Sequence, residues 1–281
     1  MKISACIEIM RPAQWLKNLM VFFPPFLGGI ILQPGVAAAG LLPFAAFCAA
    51  SSATYVFNDL LDRENDAHHP RKRRRPIPSG RISHRAAGAL ALALLLAGLC
   101  CAFLVSGTFL LFLLLYLAVS ASYSLKLKEV PVVDLFCISA GFLLRLEAGG
   151  VAFGVVISEW LFLSVFLLSL FLSTGKRLNE LITLGENASR HRKSLSAYPD
   201  GVLDGNLYLT GATVLVTYTM YTIPRFPLVY TVPLCTFGLL RYIFRVKAGL
   251  GGDPTETLLK DFPILVTSLV WALLVGWSIY R

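Results

Sequence analysis

Charge is scarce in this sequence. Only 15% of its 281 residues are charged, against 56% hydrophobic, and the mean hydropathy is +0.70. A soluble domain of this size carries roughly a quarter charged residues. Apolar runs of about 17–22 residues recur along the whole length, which excludes an ordinary soluble domain and reads as a polytopic helical membrane protein. Histidine is scarce too, with four residues at His68, His69, His84 and His191. The six cysteines (Cys6, Cys48, Cys100, Cys101, Cys137, Cys235) mostly sit in apolar runs, with no CxxC or Cys/His metal spacing. They read as small buried hydrophobes rather than a disulfide framework. The N-terminal segment lacks a signal-type cleavage site. Internal repeats are absent as well, which argues against a transporter, and residues 1–281 are expected to form a single integral-membrane domain.

Nine helices are expected, at 16–33, 37–57, 86–105, 108–124, 132–153, 159–175, 206–223, 229–245 and 262–280. The connections near 34–36, 106–107, 154–158 and 224–228 are short and nearly uncharged. Those at 58–85, 125–131, 176–205 and 246–261 are longer and polar. All but Arg145, Arg225 and Arg281 of the 25 Lys and Arg residues fall on the second side. The positive-inside rule assigns that side, with the N-terminus, to the cytoplasm. The expected location is therefore the plasma (inner) membrane, with the active site facing the cytoplasm. A net charge of +9 concentrated there suits anionic partners, either lipid headgroups or phosphorylated substrates. Nucleic acid is not an expected partner, and a homo-oligomer is compatible with the sequence.

Charge of both signs gathers most densely in NDLLDRENDAHHPRKRRRP from Asn58 to Pro76. Asn58, Asp62 and Asp66 are spaced i, i+4, i+8, and Asp59 joins Asp62 and Asp66 at i, i+3, i+7. If the second span continues as a helix, all four project from one face. Like charges so placed repel and call for a cation. Oxygen ligands without His or Cys suit Mg²⁺, which completes its shell with waters and substrate phosphates. The alternative is a solvated helix end. The five basic residues that follow, Arg71 to Arg75, are either a topogenic, headgroup-binding run or, at Lys72 and Arg75, clamps for phosphate. In RPAQWLKN, Arg11, Gln14 and Asn18 fall at i, i+3, i+7 with Lys17 beside them. This stripe either supplies phosphate-type donors or anchors the interface through Trp15 and Lys17.

NDxxDxxxD at the cytoplasmic end of the second helix resembles the signature of the UbiA-type superfamily of intramembrane prenyltransferases. That resemblance implies an all-α bundle of nine transmembrane helices around a cavity open to the cytoplasm and laterally to lipid. Members acting on aromatic acceptors carry a second Asp-rich motif after the sixth span. Here the equivalent stretch, TGKRLNELITLGENASRHRKSL from Thr174 to Leu195, has no aspartate and offers Lys176 and Arg177 beside Glu180. With RPxQWxKN, HPxKxxRP, the spacing from Tyr123 to Asp134, LLRLEAGG around Arg145 and GKRxxEL around Lys176, the chain is similar to one branch, the decaprenyl-phosphate phosphoribosyltransferases. Glu147 departs from the pattern, since an apolar residue is expected two positions after Arg145.

What the branch implies is transfer of 5-phosphoribosyl from phosphoribosyl diphosphate to a polyprenyl phosphate lipid. The alternative is a prenyltransferase moving a polyprenyl group to an aromatic acceptor. In the first case Asp59, Asp62 and Asp66, with Asn58, would hold Mg²⁺ on the diphosphate. Arg11, Gln14, Lys17, Asn18, Lys72, Arg75, Lys128, Lys176, Arg177 and Glu180 would attend the substrates. Asp134 would contact a ribose hydroxyl or orient Lys128, and Tyr123 would do either job. Arg145 lies mid-span, where a charge costs about 2.5–3.5 kcal/mol on insertion scales. It either pairs with Glu147 or Asp134 or faces phosphate. A phosphate monoester is already an oxyanion near neutral pH, so no general base is expected.

Overall fold

A computed structural model of the chain describes residues 3–68, 72–185, 193–225 and 227–281. Among these residues every regular element is a helix. Eight long α-helices are α1 (Leu41–Leu61), α2 (His84–Val105), α3 (Gly107–Leu125), α4 (Val133–Phe153), α5 (Glu159–Leu184), α6 (Val202–Thr222), α7 (Val232–Lys247) and α8 (Phe262–Tyr280). Seven helical stretches are long and apolar enough to cross a membrane: Val36–Leu61, His84–Val105, Gly107–Leu125, Val133–Phe153, Glu159–Leu184, Leu228–Lys247 and Phe262–Tyr280.

The two other expected spans are helical but different in kind. In place of one helix over 16–33 there is a 3-10 helix, Pro12–Phe22, and a short α-helix, Phe23–Leu27. It begins at Arg11, whose φ of 54° is left-handed, and is followed by a turn in which Gly29 has φ 75°. Pro24 and Pro25 lack the N–H groups that an α-helix through this point would need. α6 starts four residues before the expected 206–223 and ends at Thr222, but its five threonines lower its hydropathy. Each turns its hydroxyl back onto its own helix, at 2.6 Å for Thr210 to the Asn206 carbonyl and 2.7 Å for Thr213 to that of Leu209. This back-bonding satisfies hydroxyls that lipid could not.

The chain divides into two compact units. The first comprises Met1–Phe23, Leu32–Leu125 and Leu144–Val155. Here α1 and α2 pack closely because Gly98 lies against the backbone of Ala46 and Ala50, the small-residue device that lets membrane helices approach. Phe47 stacks edge-on against Phe109 and Tyr116 to fill the core. A second cluster, Ala5, Ile9, Val56, Ile77, Ile82 and Ala87, anchors the turn after the basic run. The other unit comprises Pro24–Ile31, Lys126–Leu143 and Val156–Arg281. Its core joins α5, α6 and α7 through Phe171, Leu178, Leu207, Val214 and Tyr242.

Candidate functional site

α1 does continue beyond residue 57, carrying Asn58 and Asp59. Asp62 closes the helix as its C-cap, and the short helix Arg63–His68 resumes one residue later with Asp66. Asn58 Nδ2 donates to Asp62 Oδ2 at 3.1 Å. Asp59 and Asp66 are each only 2% exposed. Arg75 Nη1 bridges them, 3.1 Å from Asp59 Oδ1 and 2.6 Å from Asp66 Oδ2. Arg11 Nη2 reaches the same Asp59 oxygen at 2.6 Å, with its guanidinium over the Tyr55 ring. The chain after the basic run is folded back for this purpose. Ile77 and Ile82 are buried, and Arg81 grips Glu8 with two bonds of 2.6 and 2.9 Å.

A polar ladder fixes the 3-10 segment against α1. Ser52 donates to the Met10 carbonyl and accepts from Trp15 Nε1, both at 3.0 Å. Asn18 is fully buried and donates to Ser51 Oγ at 3.2 Å and Cys48 Sγ at 3.3 Å. Its amide oxygen accepts from Arg145 Nε at 2.8 Å. Arg145 also donates to Tyr116 at 3.1 Å, and lies over the rings of Tyr116 and Phe47. Asn18 and Arg145 are thus buried supports of the segment that carries Arg11. The two sequence alternatives for Arg145, a carboxylate pair or a phosphate contact, did not anticipate this asparagine–tyrosine seat. Gln14, Lys17 and Tyr123 are half-buried, and the Lys72 side chain lies outside the described residues.

In the other unit, α5 runs nine residues past the expected end and carries Lys176, Arg177 and Glu180 as helical residues. Arg177 is 2% exposed. It donates to Asp134 Oδ2 at 2.7 Å and to Glu180 Oε2 at 2.8 Å. Tyr198 donates to the other Asp134 oxygen at 3.0 Å and accepts the Val132 N–H at 2.6 Å. Val132 has φ 67°, a conformation that a β-branched residue rarely adopts. Lys176 donates to Asp253 at 2.9 Å, and Asp253 also caps the helix Pro254–Lys260. The Lys128 carbonyl accepts from Ser194 at 3.0 Å.

Residues 22–260 match the UbiA prenyltransferase family. The chain belongs to that family. It is 33% identical to the decaprenyl-phosphate phosphoribosyltransferase of Mycolicibacterium smegmatis, covering 99% of this chain and 93% of the relative. To the enzyme of the same name from Corynebacterium glutamicum it is 32% identical, over 98% of this chain and 86% of the relative. A UbiA homolog from Archaeoglobus fulgidus, solved with GPP and Mg²⁺ bound, superposes with a TM-score of 0.76 at 21% identity, covering 98% and 99% of the two chains. This UbiA-family chain is a multi-pass membrane protein and an enzyme of the transferase class.

The acidic motif of the family member offers only hard oxygen donors, which fit a cation such as Mg²⁺. Among the described residues, however, no three His, Cys, Asp or Glu side chains form a metal-ligand group. Guanidinium groups of Arg11 and Arg75 lie against the carboxylates instead. Tyr198 and Asp253 are the polar partners that sequence reasoning left without a role. Asp253 lies within the residues matched to the family, and its position before Pro254 is an N-cap signal.

Proposed function

We propose that this enzyme transfers a 5-phosphoribosyl group from phosphoribosyl diphosphate to a polyprenyl phosphate of the decaprenyl type, releasing diphosphate. The observation that carries the reading is the acidic motif built with Arg11 and Arg75 on its own carboxylates, a site with both cation-binding and phosphate-binding groups. The names and near-complete coverage of the curated relatives support it. So does the sequence after α5's apolar part, which has Lys176 and Arg177 in place of a second Asp-rich motif.

Asp59, Asp62 and Asp66, with Asn58, would hold Mg²⁺, which when bound neutralises a diphosphate leaving group. Arg11 and Arg75 bind phosphate oxygens, for which a guanidinium fork is well matched. Asn18 and Arg145 keep the segment bearing Arg11 in place. The C1–O bond to the diphosphate breaks and an oxygen of the acceptor phosphate bonds to C1. That oxygen is already anionic, so the protein orients it without removing a proton. Arg177, held by Asp134 and Glu180, positions α5, while Lys176, about a third exposed, is the better placed of the two for an anionic headgroup. The nine-span topology, with this chemistry on the cytoplasmic side of the plasma membrane, belongs to the same reading.

Purified enzyme with Mg²⁺, labelled phosphoribosyl diphosphate and decaprenyl phosphate should release diphosphate and yield a labelled lipid. Asp62→Asn and Asp66→Asn should each lose nearly all turnover while remaining folded. Consumption of a prenyl diphosphate with 4-hydroxybenzoate, and none of phosphoribosyl diphosphate, would replace this reading with aromatic prenylation.

A further inference from the structure

We propose that Arg11 and Arg75 are placeholder cations that make the acidic motif select a metal–diphosphate complex over the free metal ion. The inference rests on the reading that this motif binds a metal with diphosphate, and adds the order in which they come. Asp59 Oδ1 receives two guanidinium contacts, from Arg11 at 2.6 Å and Arg75 at 3.1 Å, and Arg75 also holds Asp66 at 2.6 Å. The repulsion between buried carboxylates is thus already compensated by the chain itself. A free divalent ion must displace these guanidinium groups and bring more positive charge beside them. A metal–diphosphate complex arrives with a net negative charge and its own oxygens, onto which both forks turn as they leave the carboxylates.

The side chains are built for such an exchange. Each arginine keeps between a quarter and a third of its surface exposed, whereas the aspartates are buried. Arg11 sits in a left-handed backbone conformation that a non-glycine residue holds only when its surroundings impose it, and its contact with Asp59 is one such restraint. Tyr55 offers the guanidinium a neighbouring aromatic face. Asp62, turned to Asn58, completes the polar groups of the motif.

The consequence is coupling: metal and diphosphate each tighten the other's binding, by equal factors. Protein-bound Mn²⁺ is measured by electron paramagnetic resonance on the full-length protein in lipid nanodiscs, with free Mn²⁺ matched, with and without inorganic diphosphate. Wild type should bind Mn²⁺ alone weakly and with diphosphate much more tightly. Arg75→Gln and Arg11→Gln should each bind Mn²⁺ alone about tenfold more tightly, the equivalent of one charge-assisted contact removed, and gain less from diphosphate. Arg75→Lys, which keeps the charge without the fork, should stay closer to wild type. If Arg75→Gln does not fold, Arg11→Gln carries the comparison. Wild type with diphosphate-dependent Mn²⁺ binding, and variants no tighter for Mn²⁺ alone, would overturn the placeholder role and leave the metal site standing. Wild type binding no Mn²⁺ in either condition would remove both.

Discussion

Tyr198 shows how much one side chain can decide. Its hydroxyl donates to Asp134 and accepts the N–H of Val132, so it ties a buried carboxylate to a strained backbone turn. Burial chiefly pushes its pKa up, to about 12 from the ordinary 10, with the Val132 N–H pulling the other way and the Asp134 charge adding to the rise. The phenol therefore stays a donor throughout the physiological range. A folded-state pKa above the unfolded one contributes stability that is fully present below about pH 10. That contribution is lost as pH rises through the folded value. Tyr198→Phe removes one donor to Asp134 and the acceptor of the Val132 N–H, and should cost about 1–3 kcal/mol. Thermal unfolding between pH 8 and 12 checks both points: wild type should lose stability above pH 10, and the variant should start lower and fall less. Equal Tm values at pH 8 would mean that water replaces the hydroxyl. No periodicity flagged this residue, because a lone tyrosine in a polar loop carries no pattern; its partner lies 64 positions away.

Helices were legible in proportion to how strongly their ends are marked. α8 starts and ends where its apolar run does, at 262 and 280, with Asp261 as its N-cap. Lys176, Arg177 and Glu180 look like the end of a span, so the sequence pattern ends α5 nine residues short. Lys176 and Arg177 are met instead by Asp253 and Asp134, from distant parts of the chain, and Glu180 by Arg177 one turn back, so the helix continues. The first segment failed the other way: its apolar composition suggested one helix, while Pro24, Pro25 and the following glycines forbid it. The carboxylate stripe of α1 was visible in its spacing; the arginines that cover it were visible only as residue types. Close approaches are legible in neither way. Gly252 lies where a Cβ would come within 2.7 Å of the Asn179 Cβ and 2.9 Å of the Gly175 carbonyl. Gly252→Ala should therefore destabilise by about 1–3 kcal/mol through overpacking against backbone. Gly238, within α7, has open space around it, and Gly238→Ala should stabilise by about 0.4–1 kcal/mol. Unfolding midpoints in matched detergent compare the two. A Gly252→Ala protein as stable as wild type would show that the loop yields.

At the scale of the whole molecule, topology turns on two stretches that apolarity alone does not decide. Among the described residues, seven helices meet the length and hydropathy expected of spans. The stretch 12–27 and α6 do not, and if both cross, the count becomes nine. The charge pattern favours crossing. The segments around Gly35 and Arg225 hold almost no Lys or Arg, while those around Pro78 and Gly251 lie in the basic loops. The hydrogen bonding removes the main objection, because α6 turns all five threonine hydroxyls onto its own carbonyls. On the first stretch, the ladder through Trp15 and Asn18 likewise meets polar groups within the protein. Reporter fusions after each of the four positions give the answer. Alkaline phosphatase should be active after Gly35 and Arg225 and silent after Pro78 and Gly251, with a fluorescent protein showing the converse. A phosphatase silent at Gly35 would keep the first stretch on the cytoplasmic side and put Arg11 on a surface segment. A phosphatase silent at Arg225 would do the same for α6, and either result would end the nine-span reading.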